Sequence, residues 1–172
     1  MCGRQAEASN TSLVLTAPTD TGSGGYTHKF FKVARSREDV IGQRDAIAAW
    51  ARMSYGWMGR SPDYKASLMN TLGANFSMYE KFADNAKRWY ARSQNHVLFM
   101  NHAIVNPPVD RMKAADEVKD VFITIQKETD AGIYVSGAKV VATSAAFTHY
   151  TFLGQNAAIP VNDTALAVMF IT

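Results

Sequence analysis

The chain has 172 residues, of which 47% are apolar and 19% charged, with a formal net charge of +3 and a pI near 9.0. That balance suits a soluble globular protein of one ordinary domain or two small ones, and no stretch approaches the roughly 20 apolar residues that span a bilayer. A single cysteine, Cys2, excludes an internal disulfide framework and a cysteine-rich metal site, so no metal ligands are assigned.

The basic residues are spread along the chain, as in Lys29, Lys32, Arg35, Arg37 and Lys87, Arg88, Arg92. They read as a solvated face, not as the dense stripe with stacking aromatics that nucleic acid requires. A small anionic substrate fits the sign. The short apolar run Leu13–Leu15 falls below a signal-peptide core, which predicts a cytoplasmic protein with no membrane partner.

In chain order, residues 1–25 are rich in Ser, Thr, Gly and Ala and read as a flexible loop segment. Gly22-Ser23-Gly24-Gly25 has no strand before it and no helix directly after it, so it is a loop and not a dinucleotide fingerprint. Residues 36–54 read as a helix, with Ser36 as cap, Asp39 three residues on, and Val40, Ile47, Trp50, Ala51 and Ser54 on one stripe. Gly56 and Gly59 break that pattern. Ser61-Pro62-Asp63 starts a second helix, running to about Leu72: the serine oxygen can accept first-turn amides, and proline and aspartate suit the positive end. Ser77 with Glu80 suggests another capping box, opening a helix to about Asn95 with Tyr79, Phe82, Ala83, Ala86, Trp89 and Tyr90 on its apolar face.

After Pro107-Pro108 the period changes to that of strands. Val121–Gln126, Ile133–Val135, Ala138–Ala142, Thr148–Leu153 and Ala165–Ile171 are the candidates, with turns at 129–132 and at Gly137. Helices first and antiparallel strands second is the α+β pattern. It divides into a helical domain at 26–106 and a sheet domain at 107–172. The run Ala165–Ile171 is apolar nearly throughout, so it expects cover on both faces, and the chain ends inside it, which predicts that more chain follows.

Five strings carry a family resemblance. They are Asp-Thr-Gly-Ser-Gly-Gly-Tyr-Thr-His-Lys-Phe-Phe at 20–31, Ser-Tyr-Gly-Trp-Met-Gly-Arg-Ser-Pro-Asp-Tyr-Lys at 54–65, Asn-His-Ala-Ile-Val-Asn-Pro-Pro-Val-Asp-Arg at 101–111, Lys-Glu-Thr-Asp-Ala-Gly-Ile at 127–133, and Val-Ser-Gly-Ala-Lys-Val-Val-Ala-Thr at 135–143. From about Thr19 to Thr172 the chain resembles the oxygenase (large) component of two-component, FADH2-dependent 4-hydroxyphenylacetate 3-monooxygenases. The resemblance implies an acyl-CoA dehydrogenase-like α+β fold: a helical N-terminal domain, part of an antiparallel β-barrel, and a C-terminal helical bundle that this chain lacks. It implies hydroxylation of a phenol ortho to its OH by reduced FAD and O2, a separate flavin reductase supplying FADH2, and a homotetramer in the full-length enzyme.

The resemblance also implies site residues. Arg60, Tyr64 and His102 would surround the phenol and the reactive flavin edge. A guanidinium, a phenolic OH and an imidazole can together hold a phenol oxygen and stabilise its developing negative charge, and the imidazole can exchange a proton near neutral pH. Taken alone, Arg60 and Tyr64 read as surface residues at a helix start and His102 as a structural histidine. Flavin contacts would come from His102, Ala103 and Ile104, from Pro108, Val109, Asp110 and Arg111, and from the turn Thr143, Ser144 and Ala145, which ordinary turn chemistry explains equally well. His28 and His149 read as structural and His96 as a helix-end residue. The same fold serves 4-hydroxybutyryl-CoA dehydratase, a lyase whose iron–sulfur cluster needs several cysteines. Arg60 and Tyr64 stand in the helix where that branch would carry them. A truncated, inactive fragment is the other alternative.

Overall fold

A computed structural model describes residues 12–110, 112–113, 117–118, 120–155 and 164–172. They fall into two compact units, divided between Phe99 and Met100.

The first unit is mostly helical. A single turn α1 (Ser12–Leu15) leads into strand β1 (Thr16–Pro18), which pairs antiparallel with β2 (Tyr26–His28), Ala17 opposite Thr27. Part of the segment read as an unstructured loop is therefore ordered, and Leu15 is a core residue at 1% exposure. The reason is tertiary: its apolar run is too short to show a period, but it packs with Phe30, Phe31, Ala46, Trp50, Ala66 and Val97. His28 is fully buried, stacked on Phe30 at 5.1 Å and edge-on to Trp50 at 5.4 Å, a structural position.

Helix α2 (Arg37–Met53) starts as the sequence dictates. Ser36 Oγ accepts from Asp39 N at 3.1 Å, and the Asp39 carboxylate accepts from Ser36 N at 3.0 Å and from Arg35 N at 2.9 Å. These bonds hold the Asp39 carboxyl below its ordinary range, the Arg35 amide acting most strongly. Helix α3 (Asp63–Ala74) and helix α4 (Ala83–His96) complete the unit.

The predicted capping box at Ser77 and Glu80 does not form. Residues Phe76–Phe82 make a 3-10 segment kinked at Glu80, whose backbone is far from helical (φ 45°, ψ −116°). Helix α4 therefore begins at Ala83. Tyr79 and Phe82 are exposed, and its buried face is Ala86, Tyr90, Ser93 and Gln94.

A polar clamp ties these helices to the β1–β2 loop and to the segment between β2 and α2. Tyr90 Oη donates to the Asp20 carboxylate (2.9 and 3.0 Å) and accepts from Val33 N at 3.0 Å. Gln94, fully buried, donates to Asp20 Oδ1 at 2.7 Å and to the Phe31 carbonyl at 3.1 Å. Asn70 donates to the carbonyls of Phe30 (3.0 Å) and Lys32 (2.9 Å), and Gln43 to that of Lys32 at 2.7 Å. Side-chain amides thus satisfy backbone groups that would otherwise be buried unpaired. Gly73 completes the fit, since a Cβ there would lie 2.5 Å from the Tyr90 ring.

Burial, above all, and the nearby Asp20 carboxylate push the Tyr90 phenol up to about 12, against the Val33 amide, which favours the phenolate. A raised folded-state value contributes stability that is complete below the ordinary tyrosine value of about 10. It is lost as pH rises through about 12. Thermal unfolding of the wild-type chain should therefore fall more steeply across that window than unfolding of Tyr90→Phe. At neutral pH the same substitution should cost about 1–3 kcal/mol, because it strands the Val33 amide. Melting curves of both proteins at several pH values check both statements, and parallel pH profiles would contradict the first.

The second unit carries the sheets. Strand β3 (Met100–Ala103) pairs with β6 (Tyr150–Leu153), His102 opposite Phe152, and β7 (Phe170–Ile171) adds to β6 antiparallel. The β3–β6 pairing is parallel, contrary to the all-antiparallel expectation. Parallel pairing needs a long crossover, and residues 104–149 supply it. Strands β4 (Thr124–Thr129) and β5 (Gly132–Ser136) form a bulged hairpin. Residues 138–142 make only isolated bridges, Phe122 with Ala138 and Val105 with Val140. No closed barrel forms among the described residues.

The run 165–171 is only partly extended: a 3-10 turn at Thr164–Leu166, then β7. Leu166 and Val168 are buried while Ala167 and Met169 face outward, so one face is covered and not two. No helix among the described residues is long and apolar enough to cross a membrane.

Candidate active site

Helix α2 ends in a Schellman motif: Gly56 N bonds to the Ala51 carbonyl at 2.9 Å and Tyr55 N to that of Arg52 at 3.2 Å. The left-handed position falls on Tyr55 (φ 51°), a residue earlier than the glycine break suggested. The chain then leaves the helix with Tyr55 and Trp57 pointing to solvent, 88% and 90% exposed, and arrives at Arg60.

Helix α3 is entered through Pro62, whose carbonyl accepts from Ala66 N at 3.0 Å, while the Ser61 carbonyl accepts from Tyr64 N at 3.3 Å. The Ser61 hydroxyl does not cap the amides as expected. It donates to the Asp63 carboxylate instead. Asp63 is close enough to capture it, and the Ser61 and Pro62 carbonyls make the first-turn bonds.

This entry brings Arg60 and Tyr64 together. The Arg60 guanidinium carbon lies 4.9 Å from the centroid of the Tyr64 ring, and Tyr64 is 46% exposed. Lys65, which the sequence did not single out, places its ammonium 4.6 Å from the same centroid while remaining buried. Burial, and then the like charge of Arg60, push the Lys65 ammonium below the ordinary lysine range. A signal was present, since Lys65 ends the string at 54–65, but neighbours in sequence on a helix do not ordinarily face one another.

His102 belongs to the second unit, half-buried in β3, with Ala103 buried beside it and Ile104 following. The turn at 143–145 is drawn to this strand by Asn101, whose amide donates to the carbonyls of Ala142 (3.3 Å) and Thr143 (3.2 Å). Thr148 Oγ1 donates back to Asn101 Oδ1 at 3.4 Å. Ser144 is left-handed (φ 69°) and opens a 3-10 turn, and Ala145 N bonds to the Ala142 carbonyl at 3.1 Å. Two of the three predicted flavin segments, 102–104 and 143–145, are therefore bonded into one patch. Asn101 is the residue that sequence reasoning missed, as an asparagine has no signature until its partners are in place.

Lys139 adds a second tie, donating to Asn106 Oδ1 and Gln155 Oε1 at 2.7 Å each and to the Ile104 carbonyl at 3.4 Å. Burial pushes its ammonium below the usual range. In the third predicted segment Pro108 and Asp110 are exposed and Val109 half-buried, and Asp110 Oδ1 accepts from Met112 N at 3.0 Å. Arg111 lies outside the described residues.

Helices first and sheets second, the chain has the fold of an acyl-CoA dehydrogenase-like protein's N-terminal part. The chain belongs to the family described as 4-hydroxyphenylacetate 3-hydroxylase N terminal, which matches residues 5–172. It is 61% identical over 154 residues to the 4-hydroxyphenylacetate 3-monooxygenase oxygenase component of Pseudomonas aeruginosa, covering 89% of this chain and 30% of that protein. It thus spans about 30% of the length of this curated relative. Among solved structures it is similar to the oxygenase component of 4-hydroxyphenylacetate 3-monooxygenase complexed with FAD and 4-hydroxyphenylacetate, with TM-score 0.84 and 25% identity over 98% of this chain and 35% of that one. An archaeal 4-hydroxybutyryl-CoA dehydratase shares the fold alone, with TM-score 0.73 and 21% identity over 93% of this chain and 33% of that one.

Proposed function

We propose that this chain supplies the phenol-holding side chains and part of the flavin site of a two-component aromatic monooxygenase. Its substrate is 4-hydroxyphenylacetate or a similar phenol, hydroxylated ortho to its OH. The balance is phenol plus FADH2 plus O2 giving catechol, FAD and water. Bound FAD in its reduced form supplies the oxygen chemistry, and a separate flavin reductase delivers it. Assembly as a homotetramer belongs to the same reading.

The observation that carries it is the Arg60–Tyr64 pair, 4.9 Å from guanidinium to ring centroid, set in a string that matches the family. Arg60 and the Tyr64 hydroxyl can hold the phenol oxygen and favour its anionic form, which makes the ortho carbon more nucleophilic. His102 accepts or returns the phenol proton. The flavin is held by the patch of Ala103, Ile104, Thr143, Ser144 and Ala145. Hydroxyls and amides beside a strand end suit the ring's carbonyl oxygens and nitrogens, and the Asn101 bonds that order this patch support the fit. Pro108, Val109, Asp110 and Arg111 remain part of the same proposal.

The test is a chimera in which this chain replaces the matching segment of the Pseudomonas aeruginosa relative. With reduced FAD, O2 and 4-hydroxyphenylacetate it should form catechol. A folded, FAD-binding chimera that forms none would refute the reading. The chain by itself should form no catechol, because Tyr64 at 46% exposure leaves the site open to water and coupling needs a dry site. Stoichiometric catechol from the isolated chain would contradict that second expectation.

A further inference from the structure

Just past the end of β3, one ammonium gathers three oxygens. Lys139 Nζ donates to Asn106 Oδ1 and Gln155 Oε1 at 2.7 Å each and to the Ile104 carbonyl at 3.4 Å. Lys139, Asn106 and Gln155 are all half-buried. The backbone sets up the meeting: Val140 N donates to the Val105 carbonyl at 2.9 Å in an antiparallel bridge, which brings Lys139 beside Asn106. An ammonium has donors and no acceptor. It therefore takes the oxygen of each carboxamide and turns the NH2 away from itself. For Gln155 the outcome is visible, since its Nε2 donates to the Leu166 carbonyl at 2.8 Å. Asn106 is turned by the same rule. Among the described residues its side chain makes no bond besides the one it accepts, so both N–H groups remain for a ligand.

Position gives that ligand a class. Asn106 stands between Ile104 and Pro108, the inner ends of two stretches proposed above to hold the flavin. Pro107 and Pro108 carry no backbone N–H. At these two positions the main chain can offer a ring carbonyl or nitrogen no donor, and the Asn106 amide supplies one from its side chain.

We propose that Asn106 is a flavin-contact residue, donating a side-chain N–H to a ring oxygen or nitrogen, and that Lys139 is the positioning residue that presents it. The proposal rests on the flavin reading of the patch at 102–104 and 143–145. The competing reading is a hydrated surface amide that only ties down Lys139. It requires nothing of the N–H groups.

FAD is titrated onto the wild-type chain and onto Asn106→Asp, Asn106→Leu and Lys139→Met, with binding read by flavin fluorescence and folding by circular dichroism melts. Asn106→Asp separates the two readings. Its carboxylate still accepts from Lys139, so the melt should not fall, yet the donors are gone. FAD affinity should drop about three- to tenfold, the net worth of one hydrogen bond. Asn106→Leu adds no charge and should lose at least as much, which separates a lost donor from repulsion of the FAD phosphates. Lys139→Met frees the amide to flip and should lose part of the same affinity, with Lys139→Gln taking its place should the methionine variant unfold. Folded Asn106→Asp and Asn106→Leu chains that bind FAD as the wild type does overturn the proposal and leave the flavin patch standing. So does an Asn106→Asp chain that melts well below wild type, since the tie to Lys139 is then not the one described. A loss in the Asn106 variants that the Lys139 variant does not share overturns the positioning role. A wild-type chain that does not bind FAD overturns both the proposal and the flavin reading.

Discussion

Replacing Arg60 by alanine, Tyr64 by phenylalanine or His102 by alanine in the chimeric enzyme should each slow hydroxylation roughly a hundredfold, about 3 kcal/mol, the usual cost of one preorganised donor to developing charge. Reduced flavin should still be consumed, its electrons passing to O2 to give hydrogen peroxide, because oxygen activation belongs to the cofactor. The ratio of catechol formed to reduced flavin oxidised should therefore collapse while flavin affinity changes little. The competing expectation treats Arg60 and Tyr64 as surface residues at a helix start. Each change would then cost at most about 1 kcal/mol of stability and leave the ratio intact. Unchanged rate and ratio in all three variants would remove the site assignment.

Gly137→Ala should be the most damaging single methyl in the second unit. Gly137 has φ 121°, outside what an L side chain adopts readily, and an added Cβ would lie 2.0 Å from the Phe122 carbonyl oxygen and 2.7 Å from Ile123 N. Those atoms are backbone and cannot swing aside. The close approach is used: Ala138 N bonds to the Val121 carbonyl at 3.0 Å, and Phe122 bridges Ala138. A shifted turn loses these bonds, and overpacking alone costs about 1–3 kcal/mol, to which backbone strain adds about 1–3 kcal/mol. Denaturant unfolding should show a loss of about 3 kcal/mol or more. A loss below about 1 kcal/mol would mean that the turn has room that its geometry denies.

Local chemistry was legible where it needed no partner. Ser36 and Asp39 form their reciprocal cap because both ends of it lie within four residues, and Gly137 marks its turn because no other residue fits. Ser77 and Glu80 have the same spacing yet form no cap, since the kink at Glu80 breaks the segment before a helix can start. The parallel strand at Met100–Ala103 was invisible: Met-Asn-His-Ala has no strand period, and its partner lies 50 residues away. In the candidate site, Arg60 and Tyr64 could be placed together from a helix start and a family string. Lys65 and Asn101 could not, because the fold-back of one and the carbonyl partners of the other exist only in three dimensions.

The chain's three tryptophans occupy contrasting surroundings. Trp50 is 4% exposed in the core, Trp89 is half-buried on α4, and Trp57 is 90% exposed three residues before Arg60. Their emission is therefore separable by colour and quencher access: a blue, shielded signal from Trp50 and a red, quenchable one from Trp57. With Trp50 and Trp89 replaced by phenylalanine, the remaining indole becomes a built-in optical reporter on the surroundings of the Arg60–Tyr64 corner, readable without any added dye.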